Sequence, residues 1–514
     1  MSFAKAIATI GGWTVLSRIT GLLREMLVAR YLGAGLVADA FFVAFRFPNM
    51  FRSLFAEGAF NAAFVPLFAG KQELEGRQAA CHFAELCFSV LGCGLLAFIV
   101  LMEIAMPWGM RLLAPGFGDI PGKMELATEL SRITFPYLLF ISLVSLQGGV
   151  LNSLGRFAAV AGTPVLLNLT SMAALIALAP YTETAGQAAS WGVVASGLVQ
   201  FAWLVYSVRR AGVTLHLVRP SLAPEVKTML RRVVPGAVGA GVYNVNLFLN
   251  TIIASEVANG AVSYLNYADR VNQLPLGVVG IAIGTALLPL LSRQITAGDT
   301  AAAIDSQNRA IELGVLLTLP AAFAFASIAH PIIAVLFERG SFTPADTDAV
   351  APALVMFALG LPANVLVKAL TPGFFARHDT RTPVKVALLT MVVNVALNLI
   401  LMGPLKHVGM AVSTSLAAWL NAGLLAWLLG RKRYFAPDPR LLGRLPRILA
   451  ACLLMTAALW AGGRAVAPLL DQHGLRIAAL ATLVFLGMGS YALAVVVTGA
   501  ARFGEIKAML RRRP

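Results

Sequence analysis

The sequence predicts an all-α polytopic membrane protein with about 14 transmembrane helices, arranged as two parallel six-helix lobes and two additional C-terminal helices. Of its 514 residues, 58% are hydrophobic and 12% are charged, whereas about 25% of the residues of an average soluble domain are charged. The apolar runs are continuous, as from Leu95 to Met102, and therefore differ from the alternating pattern of a membrane β-barrel strand. Lipid is the expected solvent of most side chains.

Apolar runs define the predicted spans in order along the chain. The first lobe, residues 1–215, contains runs near 7–32, 38–67, 83–107, 132–154, 159–180 and 188–208. The second lobe, residues 216–435, contains runs near 233–255, 263–291, 311–337, 349–371, 384–404 and 408–430. Residues 436–514 contain two further runs, near 446–468 and 475–499, and a basic tail that includes Arg511 to Arg513. The first run contains arginines and is longer than the apolar part of a signal peptide, so we expect it to remain as the first helix.

The net charge of +16 is concentrated at the ends of apolar runs. Because the lysines and arginines are not interleaved with aromatic residues on one polar face, the pattern favours the positive-inside rule over nucleic-acid binding. The loops around Glu183 and Glu256 contain no lysine or arginine, whereas the segments that follow the sixth and twelfth spans are rich in them. The sequence therefore predicts a multi-pass membrane protein with both termini in the cytoplasm.

Internal similarity supports the two lobes. Phe45–Asn49 resembles Asp269–Gln273, Phe64–Phe68 resembles Leu287–Leu291, Thr163–Val165 matches Thr382–Val384, and Gly192–Ser196 matches Gly409–Ser413. The offset between matches runs from about 224 to about 217 positions. It corresponds to six spans, an even number, so the repeats have the same orientation and are related by an axis along the membrane normal. Two such repeats are typical of transporters that work by alternating access.

Ionisable residues lie inside the predicted spans. They are Arg18, Arg24, Asp39, Arg46, Arg52, Glu57, Asp269 and Arg270. A lipid-facing arginine at mid-membrane costs about 2.5 to 3.5 kcal/mol on insertion scales, so these side chains are expected to face protein or water. One interpretation is mutual neutralisation, because Arg18 precedes Glu25 by two helical turns and Asp39 precedes Arg46 by the same spacing.

The arginines outnumber the well-placed acids, which favours a cationic cavity that binds an anion. A guanidinium group can hold phosphate oxygens in bidentate fashion, so the pattern suits a pyrophosphate better than an organic cation. Ser17 lies two turns before Arg24, and Asn49 lies one turn before Arg52. Each is expected to orient its arginine or to bind a sugar, with helix packing as the alternative.

Catalytic motifs are not evident in the sequence. The six histidines are scattered without metal-ligand spacing, and neither a Walker lysine motif nor a set of catalytic residues is present. We therefore expect a transporter rather than an enzyme, with no cofactor, no metal and no nucleic-acid partner.

Three N-terminal motifs, together with Tyr267–Arg270 and Phe337–Phe342, carry a resemblance to a known family. The three are Ser17-Arg18-Ile19-Thr20-Gly21-Leu22-Leu23-Arg24-Glu25, Ala38-Asp39-Ala40-Phe41 and Phe47-Pro48-Asn49-Met50-Phe51-Arg52. With them the chain resembles the MurJ (MviN) family of lipid II flippases over essentially its whole length. The resemblance implies a fold of the MOP type, with the last two helices forming an apolar groove for a polyprenyl tail.

The resemblance also implies site residues and a function. Arg18, Arg24, Arg52 and Arg270 correspond to the family's substrate-binding cavity arginines, with Asp39, Asn49 and Ser263 as supporting polar residues. We expect Ser17, Arg46 and Asp269 among the supporting polar residues of the cavity as well, while the roles of Arg46 and Gln273 stay open. The implied activity is the flipping of lipid II from the cytoplasmic to the periplasmic leaflet of the bacterial inner membrane. The membrane potential is the expected drive, because an anionic headgroup that leaves an inside-negative cell goes downhill. The protein's partners would be lipid II, membrane lipids and cell-wall synthesis proteins. A related MOP exporter of a drug or another polyprenyl-linked glycan, and a non-transporting cell-wall scaffold, are the alternatives.

Overall fold

The computed structural model describes residues 3–55, 59–470, 472 and 474–500. These residues form sixteen α-helices and two short 3-10 segments, and none of them lies in a β-strand. The prediction of an all-α protein is therefore confirmed. Glu57 and the basic residues Arg511 to Arg513 lie outside the described residues.

The chain divides into two compact units. Unit 1 consists of Met1–Ser263 and Arg339–Phe342, and unit 2 consists of Tyr264–Glu338 and Thr343–Pro514. The predicted lobe boundaries at residues 215 and 435 stay a prediction.

Unit 1 contains the first ten helices. They are α1 (Phe3–Leu32), α2 (Leu36–Phe55), α3 (Ala59–Leu74), α4 (Arg77–Leu113), α5 (Lys123–Thr134), α6 (Tyr137–Ser153), α7 (Phe157–Ala161), α8 (Thr163–Leu178), α9 (Ala185–Arg210) and α10 (Pro224–Val257). The predicted fourth span is divided between α5 and α6 next to Pro136, because proline has no N–H group for the helical hydrogen-bond ladder.

Unit 2 contains most of α11 and all of the helices after it. They are α11 (Ala261–Thr296), α12 (Thr300–Phe337), α13 (Pro344–Phe375), α14 (Arg381–Arg431), α15 (Pro439–Leu470) and α16 (Arg476–Val497). Helix α14 has 51 residues and includes two predicted spans, because the chain leaves helical geometry at Lys406 (φ 49°) and then resumes it. Pro404 lies two residues earlier, and a proline at that position weakens the helix locally.

Nine helical segments of the described chain are long and apolar enough to cross a membrane, and α14 counts once among them although it bends. Each unit has its own apolar core. In unit 1, Phe64, Phe83 and Leu146 join α3, α4 and α6. In unit 2, Leu425 and Ile448 are buried in one cluster that also contains residues of α11, α12, α13 and α16. The two additional C-terminal helices are therefore part of the core of unit 2.

Polar contacts also attach these two helices to α12. In the first half of α12, Glu312 accepts hydrogen bonds from the guanidinium groups of Arg440 and Arg444 on α15. Just beyond the end of α12, Glu338 pairs with Arg476 of α16 at 3.0 Å. Between them, the Tyr491 hydroxyl of α16 donates to the Leu316 carbonyl at 2.7 Å. Helix α12 thus holds α15 at Glu312, and α16 at Leu316 and at Glu338.

Candidate functional site

Arg24 is held between an acid and an aromatic ring. Its guanidinium group lies 2.7 Å from a carboxylate oxygen of Glu25, and the side chains of Arg24 and Glu25 are 13% and 3% exposed. The same guanidinium lies 5.7 Å from the ring centroid of Phe45 on α2. The alternative that pairs Glu25 with Arg18 is therefore wrong, since Glu25 is bound by its sequence neighbour. Two neighbours therefore direct the guanidinium group of Arg24.

Arg18 lies in the turn of α1 whose neighbouring residues contact α8. It is half-buried, and the residue before it, Ser17, accepts a hydrogen bond on its carbonyl oxygen from the Asn168 side-chain amide at 3.2 Å. The same amide donates to the Thr20 hydroxyl at 3.1 Å. Orientation of Arg24 by the Ser17 side chain stays a prediction.

The two arginines of α2 have different neighbours. The Nε group of Arg52 donates to the side-chain oxygen of Asn49 at 3.0 Å, so the expected contact one turn apart is present. Arg46 donates from Nη1 to the hydroxyl of Thr251 on α10 at 2.7 Å. Thr251 is fully buried, which identifies Arg46 as a link between α2 and α10.

Asp39 belongs to a buried network rather than to a pair with Arg46, so that second alternative pairing is also wrong. Its side chain and that of Lys123 are both 0% exposed, and their charged atoms lie 2.7 Å apart. Asp39 also accepts from the Gly260 N–H at 2.7 Å and from the Ser263 N–H and hydroxyl at 2.8 and 2.6 Å. Lys123 donates in addition to the Asn259 side chain at 2.9 Å. Every charge in this group is matched, so its contacts favour a structural role for Asp39 and Ser263.

Lys123 is the residue that sequence reasoning missed. It is the first residue of α5 and follows Gly122, which adopts a left-handed conformation with φ 77°. Its ammonium group also lies 4.3 Å from the ring centroid of Phe117. A lone lysine in the predicted loop between the third and fourth spans was the available signal, because a lysine there breaks the positive-inside pattern.

The remaining predicted residues lie in unit 2. Arg270 and Asp269 are half-buried near the beginning of α11, and the Gln273 amide donates to the Asp269 carboxylate one turn away. The predicted cationic residues are therefore distributed over both units, with Arg18, Arg24, Arg46 and Arg52 in unit 1 and Arg270 in unit 2. Their convergence on one cavity stays a prediction.

The part of the predicted anion site that lies in unit 1 is on α1 and α2. Four arginines of the predicted site lie there together with Glu25, while the Asp39 charge is matched by Lys123. Anion binding by these arginines stays a prediction. Guanidinium groups that are partly removed from water bind phosphate oxygens more strongly than exposed ones. Among the described residues, no three His, Cys, Asp or Glu side chains form a group that could hold a metal ion.

Comparison with known proteins identifies the family. The family model described as lipid II flippase MurJ matches residues 28–475. This chain belongs to the MurJ family. The range matched by the MurJ model includes Arg52 and Arg270, and it begins after Arg18 and Arg24.

Relatives in the MurJ family cover nearly the whole chain. A probable lipid II flippase MurJ of Rhizobium meliloti (strain 1021) is 47% identical over 468 residues, which are 90% of this chain and 86% of the relative. A second, from Rhizobium tropici, is 41% identical and covers 100% of this chain and 97% of its own length. The lipid II flippase MurJ of Burkholderia cenocepacia is 35% identical and covers 95% of this chain. These proteins are named as flippases, which are transporters and not enzymes.

Two solved structures share the fold. A lipid II flippase MurJ in an inward closed conformation has a TM-score of 0.79 and 23% identity, and the match covers 95% of this chain and 98% of that one. An inward-facing multidrug resistance MATE transporter of the MOP superfamily has a TM-score of 0.67 and 18% identity, covering 81% and 94%. The prediction of a MOP-type fold is confirmed by these likenesses.

Proposed function

We propose that this protein flips lipid II from the cytoplasmic to the periplasmic leaflet of the inner membrane by alternating access. Membership of the MurJ family is the observation that carries the proposal, since relatives over nearly the full length are named as lipid II flippases. The parallel repeats and the partly buried arginines supply the physical means.

The cationic residues act on the pyrophosphate of the substrate. Arg24 is 13% exposed, so a phosphate oxygen that reaches it is largely screened from water and forms a strong charge-assisted hydrogen bond. Asn49 fixes the Nε edge of Arg52, which limits the directions that the planar guanidinium group can adopt. Arg18 and Arg270 complete the proposed anion site. The sugars and peptide of the headgroup occupy the same cavity, while the polyprenyl tail stays beside α15 and α16.

The membrane potential supplies the drive. An anionic headgroup that leaves an inside-negative cell goes downhill by about 2.3 kcal/mol per net charge for each 100 mV. The basic segments after α9 and α14 agree with cytoplasmic termini under the positive-inside rule. Cell-wall synthesis proteins are the expected protein partners.

Complementation of a depleted strain tests the proposal. Arg18→Ala, Arg24→Ala, Arg52→Ala and Arg270→Ala are expressed at matched levels and scored for growth and for the accessibility of lipid II at the outer surface. The matched control is Arg156→Ala, because Arg156 is exposed and lies between α6 and α7. We expect the four site variants to lose growth and flipping, and the control to keep both.

The outcomes separate the alternatives. Normal flipping by all four variants would reduce the arginines to structural groups and would favour the scaffold. Loss of growth without any change in the outward accessibility of lipid II would favour an exporter of another substrate. Flipping that continues after the membrane potential is dissipated would refute the proposed drive.

A further inference from the structure

A buried amide on α8 is bonded to the turn of α1 that carries Arg18. Asn168 is 5% exposed, and its Nδ2 group donates both to the Ser17 carbonyl oxygen at 3.2 Å and to the Thr20 hydroxyl oxygen at 3.1 Å. Thr20 is 6% exposed, and its hydroxyl donates a hydrogen bond to the Leu16 carbonyl oxygen at 2.9 Å. An amide buried in a span requires partners, because an unbonded one is costly in a low-dielectric surrounding. The Nδ2 group of Asn168 has two hydrogen-bond acceptors.

These two hydrogen bonds fix the rotation of α1. Ser17 and Thr20 lie on the side of α1 that faces α8, and Arg18 follows Ser17 by one residue, or about 100° around the helix. Arg24 lies two turns after Ser17, on nearly the same side. A rotation of α1 by about 20° would move a side-chain group near the helix surface by about 2 Å. That displacement is enough to break a charge-assisted hydrogen bond, which has a length of about 2.7–2.9 Å.

A second approach between these segments is apolar. A Cβ atom at Gly162, just before α8, would lie 3.6 Å from the Trp13 ring. Such a contact tolerates sliding and small rotations because it has no preferred direction. The amide contact of Asn168 is directional, and it therefore restricts the rotation of α1 against α8 more narrowly than the apolar contact does.

The amide of Asn168 has no counterpart at the corresponding position of the second repeat. The match of Thr163-Pro164-Val165 with Thr382-Pro383-Val384 aligns Asn168 with Ala387 of α14. The second repeat keeps the threonine and the proline that begin the helix but has no amide at the corresponding position. Asn168 is thus specific to the repeat whose first helix carries Arg18 and Arg24.

We propose that Asn168 is a positioning residue for anion binding. It holds α1 at the rotation and height at which Arg18 and Arg24 present their guanidinium groups to the pyrophosphate of the substrate. This inference rests on the proposed function. A purely structural Asn168 would affect the amount of folded protein and its thermal stability, but not the affinity of the folded protein for substrate.

Transport kinetics of purified protein in proteoliposomes test the inference. Asn168→Leu keeps most of the volume and removes the donor, whereas Asn168→Gln keeps the amide. We expect Asn168→Leu to raise the apparent KM for lipid II about tenfold, the size of one charge-assisted contact, with Vmax within about twofold of the parent. Asn168→Gln should recover most of the affinity. If Asn168→Leu does not fold, Asn168→Ala, which adds no bulk, is measured in its place.

Asn364→Leu is the matched control. Asn364 lies in α13, and its amide donates to the carbonyl of Gly360 in its own helix at 3.1 Å. The same substitution there removes a span amide whose hydrogen bond stays within its own helix, and we expect the KM to stay unchanged. An unchanged KM in Asn168→Leu, or an equal rise in both variants, would overturn the inference.

A double-mutant cycle that measures the Kd of the purified protein for lipid II distinguishes the two proposals, because binding can be measured in variants that do not transport. If Asn168 acts through Arg18 and Arg24, Asn168→Leu adds less than about twofold to the Kd of the double variant Arg18→Ala/Arg24→Ala, because groups acting through one contact are not additive. Full multiplication of the two effects would overturn the positioning role. If the double arginine variant alone leaves the Kd unchanged while Asn168→Leu raises it, the proposed anion site fails and Asn168 acts on another group.

Discussion

Replacing Lys123 by methionine would measure how strongly unit 1 depends on the buried pair with Asp39. Methionine keeps the apolar stem of the lysine beside Phe117 and removes the charge. The carboxylate retains three neutral donors, the Gly260 N–H and the two groups of Ser263. Loss of one partner of a buried ion pair costs about 3–5 kcal/mol. Since these donors still solvate Asp39, we expect the lower end of that range, about 3 kcal/mol of unfolding free energy.

The assay is thermal unfolding of the purified protein in detergent. For a unit of this size, about 3 kcal/mol corresponds to a lowering of Tm by roughly 6–12 °C. Lys432→Met is the matched control, because Lys432 is paired with Asp379 but is 39% exposed, and exposed pairs contribute about 1 kcal/mol or less. Adding Asp39→Asn to Lys123→Met removes the unpaired charge and should restore at least half of the lost Tm. An unchanged Tm in Lys123→Met, or no recovery in the double variant, would refute the reasoning.

Two further predictions concern acid stability and a close backbone approach. The hydrogen bond from Lys432 lowers the pKa of Asp379, in the loop before α14, from 3.8 to about 2. Because the pKa is lower in the folded state than in the unfolded state, the pair's contribution to the free energy of unfolding is complete above about pH 4 and is lost as the pH falls towards 2. The Tm difference between the parent and Lys432→Met should therefore vanish over that interval, and a difference that persists at pH 2 would contradict the assignment. Gly116→Ala would place a Cβ atom in a steric clash with the Ser255 carbonyl oxygen, so the free energy of unfolding should fall by about 1–3 kcal/mol. In Gly118→Ala the Cβ would meet nothing within 4 Å, and equal Tm values for the two alanine variants would count against this account.

The fold was largely predictable because lipid simplifies the sequence pattern. Long apolar runs identify helices directly, and the order of helices follows them. The break between α5 and α6 and the merging of two spans in α14 were harder to predict. Proline and the residues around it permit either a kink or a complete break, and packing against other helices decides between them.

The contacts of the site were predictable only when the partners are close in sequence. Asn49 and Arg52 are one turn apart, and helical geometry alone brings them together. Arg46 and Thr251 are 205 positions apart, and Lys123 and Asp39 are 84 apart, so their contacts depend on tertiary packing. A spacing of seven residues suggested Arg46 as the partner of Asp39. The observed partner is Lys123, which is fully buried and also contacts Asn259 and the ring of Phe117.

The attachment of α15 and α16 to α12 has a mechanical consequence. A helix pair that is bonded to its support at one point can rotate about that point, whereas a pair bonded at two separated points keeps its orientation. Glu312 is the thirteenth of the 38 residues of α12, and Glu338 lies just beyond the end of the helix. The apolar cluster of unit 2 includes Ile311 and Val315 of α12, and helical geometry is interrupted further along at Ile328. We therefore expect α15 and α16 to follow displacements of the part of α12 before Ile328, and their outer face to present the same contour to the lipids during such displacements.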